Sequence, residues 1–399
     1  MATTTVRADV RPVRESRATS VAAPPQRIAS LDLVRGIIMV LMAIDHVRVY
    51  SGVPAGGPTP GVFFTRWITH FCAPGFVFFA GTSAFLQGRK VARGDLARYL
   101  LARGLMLIVL ELTLIRASWT FDVDYSQFLL AGVIWMLGWC MVLLAAFISL
   151  PVRALGALGL LIILAQSAFG AVGGLLPQSL HQAWEFMYPV GADVRLGSSG
   201  PNVTVLYTIV PWIGVMCAGY AFGSIITQAD DERRRWCIRI GLAATVLFLL
   251  IGGAEVARSG SHDGPPAFVR LLNQRKYPAS PLFLLMTLGP LIALLPFAER
   301  ARGWLARALT TFGRVPLFYY LLHIPLIHSL ALVVNLLRFG ATHQERYATA
   351  PYVSMPPDQR WPLALLYLVW LLAVGILYPL CRWYAQRKAH DPQAWMRYI

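Results

Sequence analysis

The sequence predicts an all-α, polytopic integral membrane protein, and three observations carry that class. Of its 399 residues 57% are hydrophobic and only 14% charged, and the mean hydropathy is positive. The apolar residues gather in stretches of about twenty, the length needed to cross hydrocarbon. The arginines gather in alternate connections, as the positive-inside rule expects. The net charge of +16 therefore reads as topology, and nucleic acid is not an expected partner. Length alone would suggest about two or three soluble domains, but repeated spanning stretches override that prior.

Ten spans are predicted, at 31–50, 62–86, 97–117, 128–149, 153–176, 203–226, 237–257, 281–298, 315–338 and 362–383. Arg27, the Arg89/Lys90/Arg93/Arg98 group, Arg153, Arg233–Arg235 with Arg239, Arg300/Arg302/Arg307 and Arg382/Arg387/Lys388 all fall on one side. The opposite connections include 51–61, uncharged, and 118–127, with only Asp122 and Asp124. Both termini are thus expected to be cytoplasmic. Residues 1–29 read as a flexible cytoplasmic tail, residues 30–385 as the membrane domain and 386–399 as a second cytoplasmic tail. The five cysteines form no CxxC pair, so neither a disulfide framework nor a metal site is expected.

The first span, SLDLVRGIIMVLMAIDHVR over 30–48, opens with a capping serine, Ser30, and with Asp32 in its first turn, which suits the positive end of the dipole. Arg35 and His46 stand eleven positions apart, which places them only about 20° apart around the helix axis with about 16 Å of rise between them. A cation near one surface and an imidazole deeper in thus share one face, and a ligand could lie along it. Asp45 neighbours His46, and Arg48 follows near the headgroups.

The second span carries His70 near the outer surface, with Pro74 and Gly75 loosening the helix beside it. A structural role bonded to a freed carbonyl and a catalytic role both stay open for His70. A His70–Cys72 dyad is not expected, because residues two apart on a helix do not face each other. In the third span Arg103 lies near the inner end, Glu111 near mid-depth and Arg116 near the outer end. A lone acid such as Glu111 must be paired or protonated; it could orient an imidazole or balance Arg116.

The connection 258–280 breaks the charge pattern with Arg258, Arg270, Arg275 and Lys276. It reads either as tolerated loop charge or as an anion-binding rim. The ninth span, FGRVPLFYYLLHIPLIHSL, holds Arg314, Tyr319, Tyr320, His323 and His328, with Pro325 breaking the backbone ladder beside them. It resembles a polar cavity wall more than a lipid face. His46 and His70 satisfy the depth condition for bis-imidazole haem ligation, but nothing else signals haem, and no ligand spacing signals zinc. Phosphate-binding loops and a GxSxG elbow are absent from the sequence.

RIASLDLVRGIIMVLMAIDH resembles the opening span of type-3 membrane acyltransferases, including the spacing from Asp32 to His46. The stretches FVFFAGTSAF at 76–85, the Arg103–Glu111 span, PWIGVMCAGYAFG at 211–223, RKYPASPLFLLMTLGP at 275–290 and GRVPLFYYLLHIPLIH at 313–328 are similar to bacterial relatives of heparan-α-glucosaminide N-acetyltransferase. The resemblance covers most of the chain beyond the N-terminal tail. It implies transfer of an acyl group, acetyl above all, from cytoplasmic acyl-CoA to a sugar amine or hydroxyl on the other face of a bacterial cytoplasmic membrane. His46 inherits the catalytic role, with Asp45 or Glu111 holding its ring and His70 and His323 as alternatives.

On this reading Asp32, Arg35, Arg103, Arg314 and Tyr319 bind acyl-CoA, while Arg48, Arg116, Lys276, Tyr277 and His328 face the acceptor. The partners it implies are acyl-CoA, a glycan acceptor and the bilayer, with a homodimer left open. One departure stands out: the loop SGVPAGGPTPG at 51–61 lacks the histidine that animal heparan acetyltransferases carry there, so their active site does not transfer. The rival reading is a transporter or exporter of a small anion or glycan precursor. It lacks the internal repeat that many transporters show.

Overall fold

The computed structural model describes residues 28–57, 59–188, 192–197, 200–260, 264–391 and 393–398. The N-terminal tail expected over 1–29 lies outside these but for its last two residues. α1 (Ala29–Ser51) starts after Ile28, so Ser30 sits inside the first turn and caps nothing; its buried hydroxyl has no partner among the described residues. α2 (Pro60–Trp67) passes through a tight turn at Ile68–Phe71 into α3 (Cys72–Gly88). α4 (Arg93–Leu110) widens into a π-helical turn at Glu111–Ile115 before α5 (Arg116–Thr120). Next come β1 (Phe128–Ala131), α6 (Val133–Phe147), α7 (Val152–Leu164), α8 (Gln166–Val172) and α9 (Gln178–Met187). β2 (Ala192–Arg195), β3 (Asn202–Val205), α10 (Trp212–Ile226), α11 (Asp230–Arg258) and α12 (Ala267–Leu272) follow. The chain closes with α13 (Pro281–Arg300), α14 (Trp304–Arg314), α15 (Pro316–Phe339) and α16 (Leu363–His390).

Every one of the ten predicted stretches contains helix, but by length and composition five helical segments among the described residues could cross a membrane. These are Pro60–Gly88 and the helices α11, α13, α15 and α16; α7 with the segment to Leu175, bent by 64°, makes a sixth if the pair is one span. α6 and α10 are shorter apolar helices, whereas α1 is interrupted by Asp32, Arg35, Asp45 and Arg48. Two predicted edges move. The stretch 128–149 opens with β1, and 203–226 opens with β3, the helix starting only after Pro211. The β-branched run NVTV suits an extended strand, and Pro211 has no N–H for a helical bond towards the preceding turn. β3 pairs in parallel with β1 and antiparallel with β2, so a small sheet sits where α6 and α10 begin.

α1 is the hub of the bundle, packing on α3, α13, α14, α15 and α16. Its contact with α14 depends on two glycines. A Cβ at Gly36 would overlap the carbonyl oxygen of Leu309, and one at Gly313 would overlap that of Asp32. Only a bare Cα lets these backbones approach so closely. The contact also brings Arg35, beside Gly36, and Arg314, beside Gly313, to one place. Gly36→Ala should therefore lower the thermal midpoint in detergent, at a cost of about 1–3 kcal/mol. Gly375→Ala, in α16 with nothing within 4 Å of the added carbon, should leave the midpoint unchanged or raise it.

Candidate active site

Two cavities follow one face of α1. The larger, about 270 Å³, is lined by Arg35, Arg103, Arg314 and Lys388 and by no acidic residue among those described; Met39, Phe76, Leu107, Val133, Ile134, Leu317 and Tyr320 form its apolar wall. The smaller, about 30 Å³, is lined by Met42, Asp45, His46, Thr69, Cys72, Ala73, Tyr207 and Lys276, and shares Phe76 and Val133 with the first. Arg35, Met39, Met42 and His46 recur at steps of four, three and four, which keeps them on one helical face. That periodicity turns a single helix into the wall of both spaces.

At the cationic end, Arg35 donates from Nη2 to the carbonyl oxygen of Phe79 at 2.9 Å and to the hydroxyl of Ser83, and Asp32 lies 3.6 Å from its Nη1. Arg103 donates to the Tyr99 hydroxyl at 2.7 Å. Arg314 ends α14 and Lys388 lies in the last turn of α16. Cations on four separate helices thus converge on one opening, the arrangement that binds phosphate-rich ligands.

At the other end, His46 Nδ1 lies 2.6 Å from His323 Nε2, and His323 Nδ1 lies 2.6 Å from the carbonyl oxygen of Tyr320. For two neutral rings these contacts assign the tautomers. A carbonyl oxygen only accepts, so His323 Nδ1 carries hydrogen and its Nε2 accepts; His46 Nδ1 is then the donor. His46 Nε2 is left as a bare lone pair with no hydrogen-bond partner among the described residues. Stacking on His323 at 4.7 Å and an edge contact with Trp119 at 4.9 Å hold the ring. A half-buried imidazole oriented in this way can accept a proton from a bound nucleophile.

Several expected residues have other work. Asp45 does not hold the His46 ring; it pairs with Arg48 at 2.9 Å and Arg66 at 3.9 Å. Glu111 does not touch an imidazole either. Its Oε2 accepts from the backbone N–H of Ile134 at 3.0 Å, in the first turn of α6, where helix N–H groups lack partners and the dipole favours an anion. Arg116, 2% exposed, gives its guanidinium to the carbonyl oxygens of Asp122, Asp124 and Phe128, so it braces a connection and does not face an acceptor. Arg48 likewise donates to the Val53 carbonyl at 2.9 Å.

His328 is closed off between the Ser118 carbonyl and Gln344 and stacks on Phe121 at 3.8 Å. His70 is buried edge-on against Phe283, its Nδ1 unpartnered among the described residues, and lines neither cavity. Tyr319 is buried against His323 and Phe312, while its neighbour Tyr320 lines the large cavity. Tyr277 lies beside the small cavity, its hydroxyl 3.3 Å from that of Tyr207.

Sequence reasoning missed Tyr207 and Lys388. Tyr207 lies just after β3, inside the stretch 203–226 that the sequence predicts as a span. Lys388 falls in the predicted tail 386–399, yet α16 runs to His390. Its signal was present: the buried stripe Leu366, Val369, Ala373, Leu377, Cys381, Tyr384 reaches Lys388 with one further step of four.

These features define a helical integral membrane protein with a cationic cavity leading to an oriented imidazole. The family model described as heparan-alpha-glucosaminide N-acetyltransferase, catalytic, matches residues 27–256, more than half of the chain, and the chain belongs to that family. Membership makes it a transferase of the acetyltransferase type. A comparison with curated proteins finds no match. If Glu111 serves α6 as an N-terminal acceptor, Glu111→Ala should lower stability by roughly 1–3 kcal/mol and Glu111→Gln by less, read as thermal midpoints in detergent. Equal midpoints for the two variants would remove the capping role.

Proposed function

We propose that the chain crosses the membrane ten times with both termini cytoplasmic and transfers an acyl group, acetyl above all, from acyl-CoA to a sugar hydroxyl or amine at the opposite face. The observation that carries this reading is the pair of adjoining cavities along α1, cationic at the Arg35 end and holding the lone pair of His46 at the other. The donor fits the larger cavity by its chemistry. Phosphates meet Arg35, Arg103, Arg314 and Lys388, and a flexible pantetheine chain meets Met39, Phe76 and Leu317. The thioester supplies an activated carbonyl carbon near Phe76 and Val133, the residues common to both spaces.

His46 Nε2 takes the proton of the acceptor hydroxyl or amine as that group attacks the carbonyl carbon. The new bond to carbon forms, the carbon–sulfur bond breaks, and the imidazolium returns its proton to the thiolate, which leaves as free CoA. His323, acceptor of the Nδ1 hydrogen, keeps Nε2 basic and stabilises the imidazolium, a positioning role. The apolar wall excludes water that would hydrolyse the thioester.

His46→Ala should lower kcat by about 10²–10⁴-fold while acetyl-CoA still binds. His323→Leu should lower kcat by about 10–100-fold with little change in KM and an altered pH profile. Arg103→Ala should instead raise the KM for acetyl-CoA. Full acyl transfer by His46→Ala in proteoliposomes would sink the assignment. Purified protein that neither binds nor hydrolyses acetyl-CoA would favour transport.

A further inference from the structure

Lys276, expected to face the acceptor, gives the small cavity a positive charge that the steps of acyl transfer leave without a defined partner. Lys276 is only 7% exposed and lines the cavity beside His46. Its ammonium lies 5.6 Å from the ring of Tyr207 and 5.2 Å from that of Tyr277, and no carboxylate among the described residues lies within ion-pair distance of it. Among the described residues Asp45 is the one acid lining this space, and its Oδ1 is engaged by Arg48 at 2.9 Å and Arg66 at 3.9 Å. Three cations thus share one carboxylate around the reacting imidazole.

A buried ammonium without a counter-ion is costly, and the cost falls when a ligand supplies the anion. The same field repels a second cation. An amine acceptor would arrive chiefly as ammonium, which is both repelled and unable to attack until it loses a proton. A hydroxyl acceptor has neither handicap.

We propose that the acceptor is a hydroxyl compound bearing an anionic group, carboxylate or phosphate, which pairs with Lys276 while the hydroxyl faces His46 Nε2. This rests on the acyl-transfer reading and names the acceptor class for it. Lys276 and His46 border one cavity of about 30 Å³, so the anion and the hydroxyl belong to the same unit of the acceptor. Tyr207, whose ring lies 5.6 Å from the ammonium, lines the same cavity and adds an apolar surface beside the charge. The reaction is O-acylation: the hydroxyl proton passes to His46, the ester C–O bond forms, the thioester C–S bond breaks, and CoA leaves as the thiol.

The test uses the full chain in phosphatidylcholine nanodiscs, where both faces are open, with radiolabelled acetyl-CoA. The acceptors offered are glucuronate, glucose 6-phosphate, glucose and glucosamine. At least one anionic sugar should exceed glucose and glucosamine in kcat/KM by about tenfold or more, and the two anionic arms tell carboxylate from phosphate. Lys276→Met should remove that advantage, and Lys276→Arg should keep part of it. If Lys276→Met does not fold, the acceptor ranking of the unaltered protein decides alone.

Preference for glucosamine, acetyl-CoA binding without acylation of either anionic sugar, or an equal loss on all acceptors in Lys276→Met would overturn the proposal. Each of those results leaves acyl-CoA binding intact. Absence of acetyl-CoA binding by calorimetry would instead bring down the acyl-transfer reading beneath it.

Discussion

An ionisable side chain among apolar helices is tolerable only where it finds a partner or faces a polar space, and α1 is built around that constraint. Asp32, Arg35, Asp45, His46 and Arg48 would make it a poor helix to set against lipid. The bundle packs α3, α13, α14, α15 and α16 around it, so its charged residues meet protein or cavity. Glycine at Gly36 and Gly313 allows the closest of these approaches.

The buried polar groups then divide by how far the protein completes them. Glu111, Arg116 and His328 have their hydrogen bonds filled by backbone or by a neighbouring side chain, and they hold helix ends and connections together. His46 Nε2 and the ammonium of Lys276 are left incomplete beside a cavity. A satisfied buried group contributes to folding, whereas an incomplete one keeps binding capacity in reserve. His70 Nδ1 and the Ser30 hydroxyl also lack partners among the described residues but line neither cavity, so it is incompleteness together with a cavity that marks out His46 and Lys276.

The family match ends at residue 256, yet Lys276, Arg314, His323 and Lys388 all lie beyond it. The matched portion supplies the imidazole, Arg35 and Arg103 of the large cavity, and Phe76 and Val133 common to both cavities. The later helices supply the partner that orients the ring and two of the four cations at the mouth of the large cavity, and the connection between α12 and α13 supplies Lys276 of the small one. Residues of both portions therefore line the same two cavities, with α1 as their common wall.

Local regularities determine much of this protein from the chain itself. Apolar runs of spanning length marked out ten helical stretches, and the eleven-residue interval aligned Arg35 with His46, because helical periodicity is a property of consecutive residues. Proline, glycine and β-branched clusters blurred the edges at β1 and β3, since a short strand in an apolar run carries no period of its own. The tertiary structure alone decided which residues meet across helices. Nothing in the spacing within α1 or α15 tells that His46 reaches His323, or that Glu111 turns towards α6 instead of an imidazole. Such pairings depend on crossing angle, rotation and rotamer, and these are settled by packing between segments far apart in the chain.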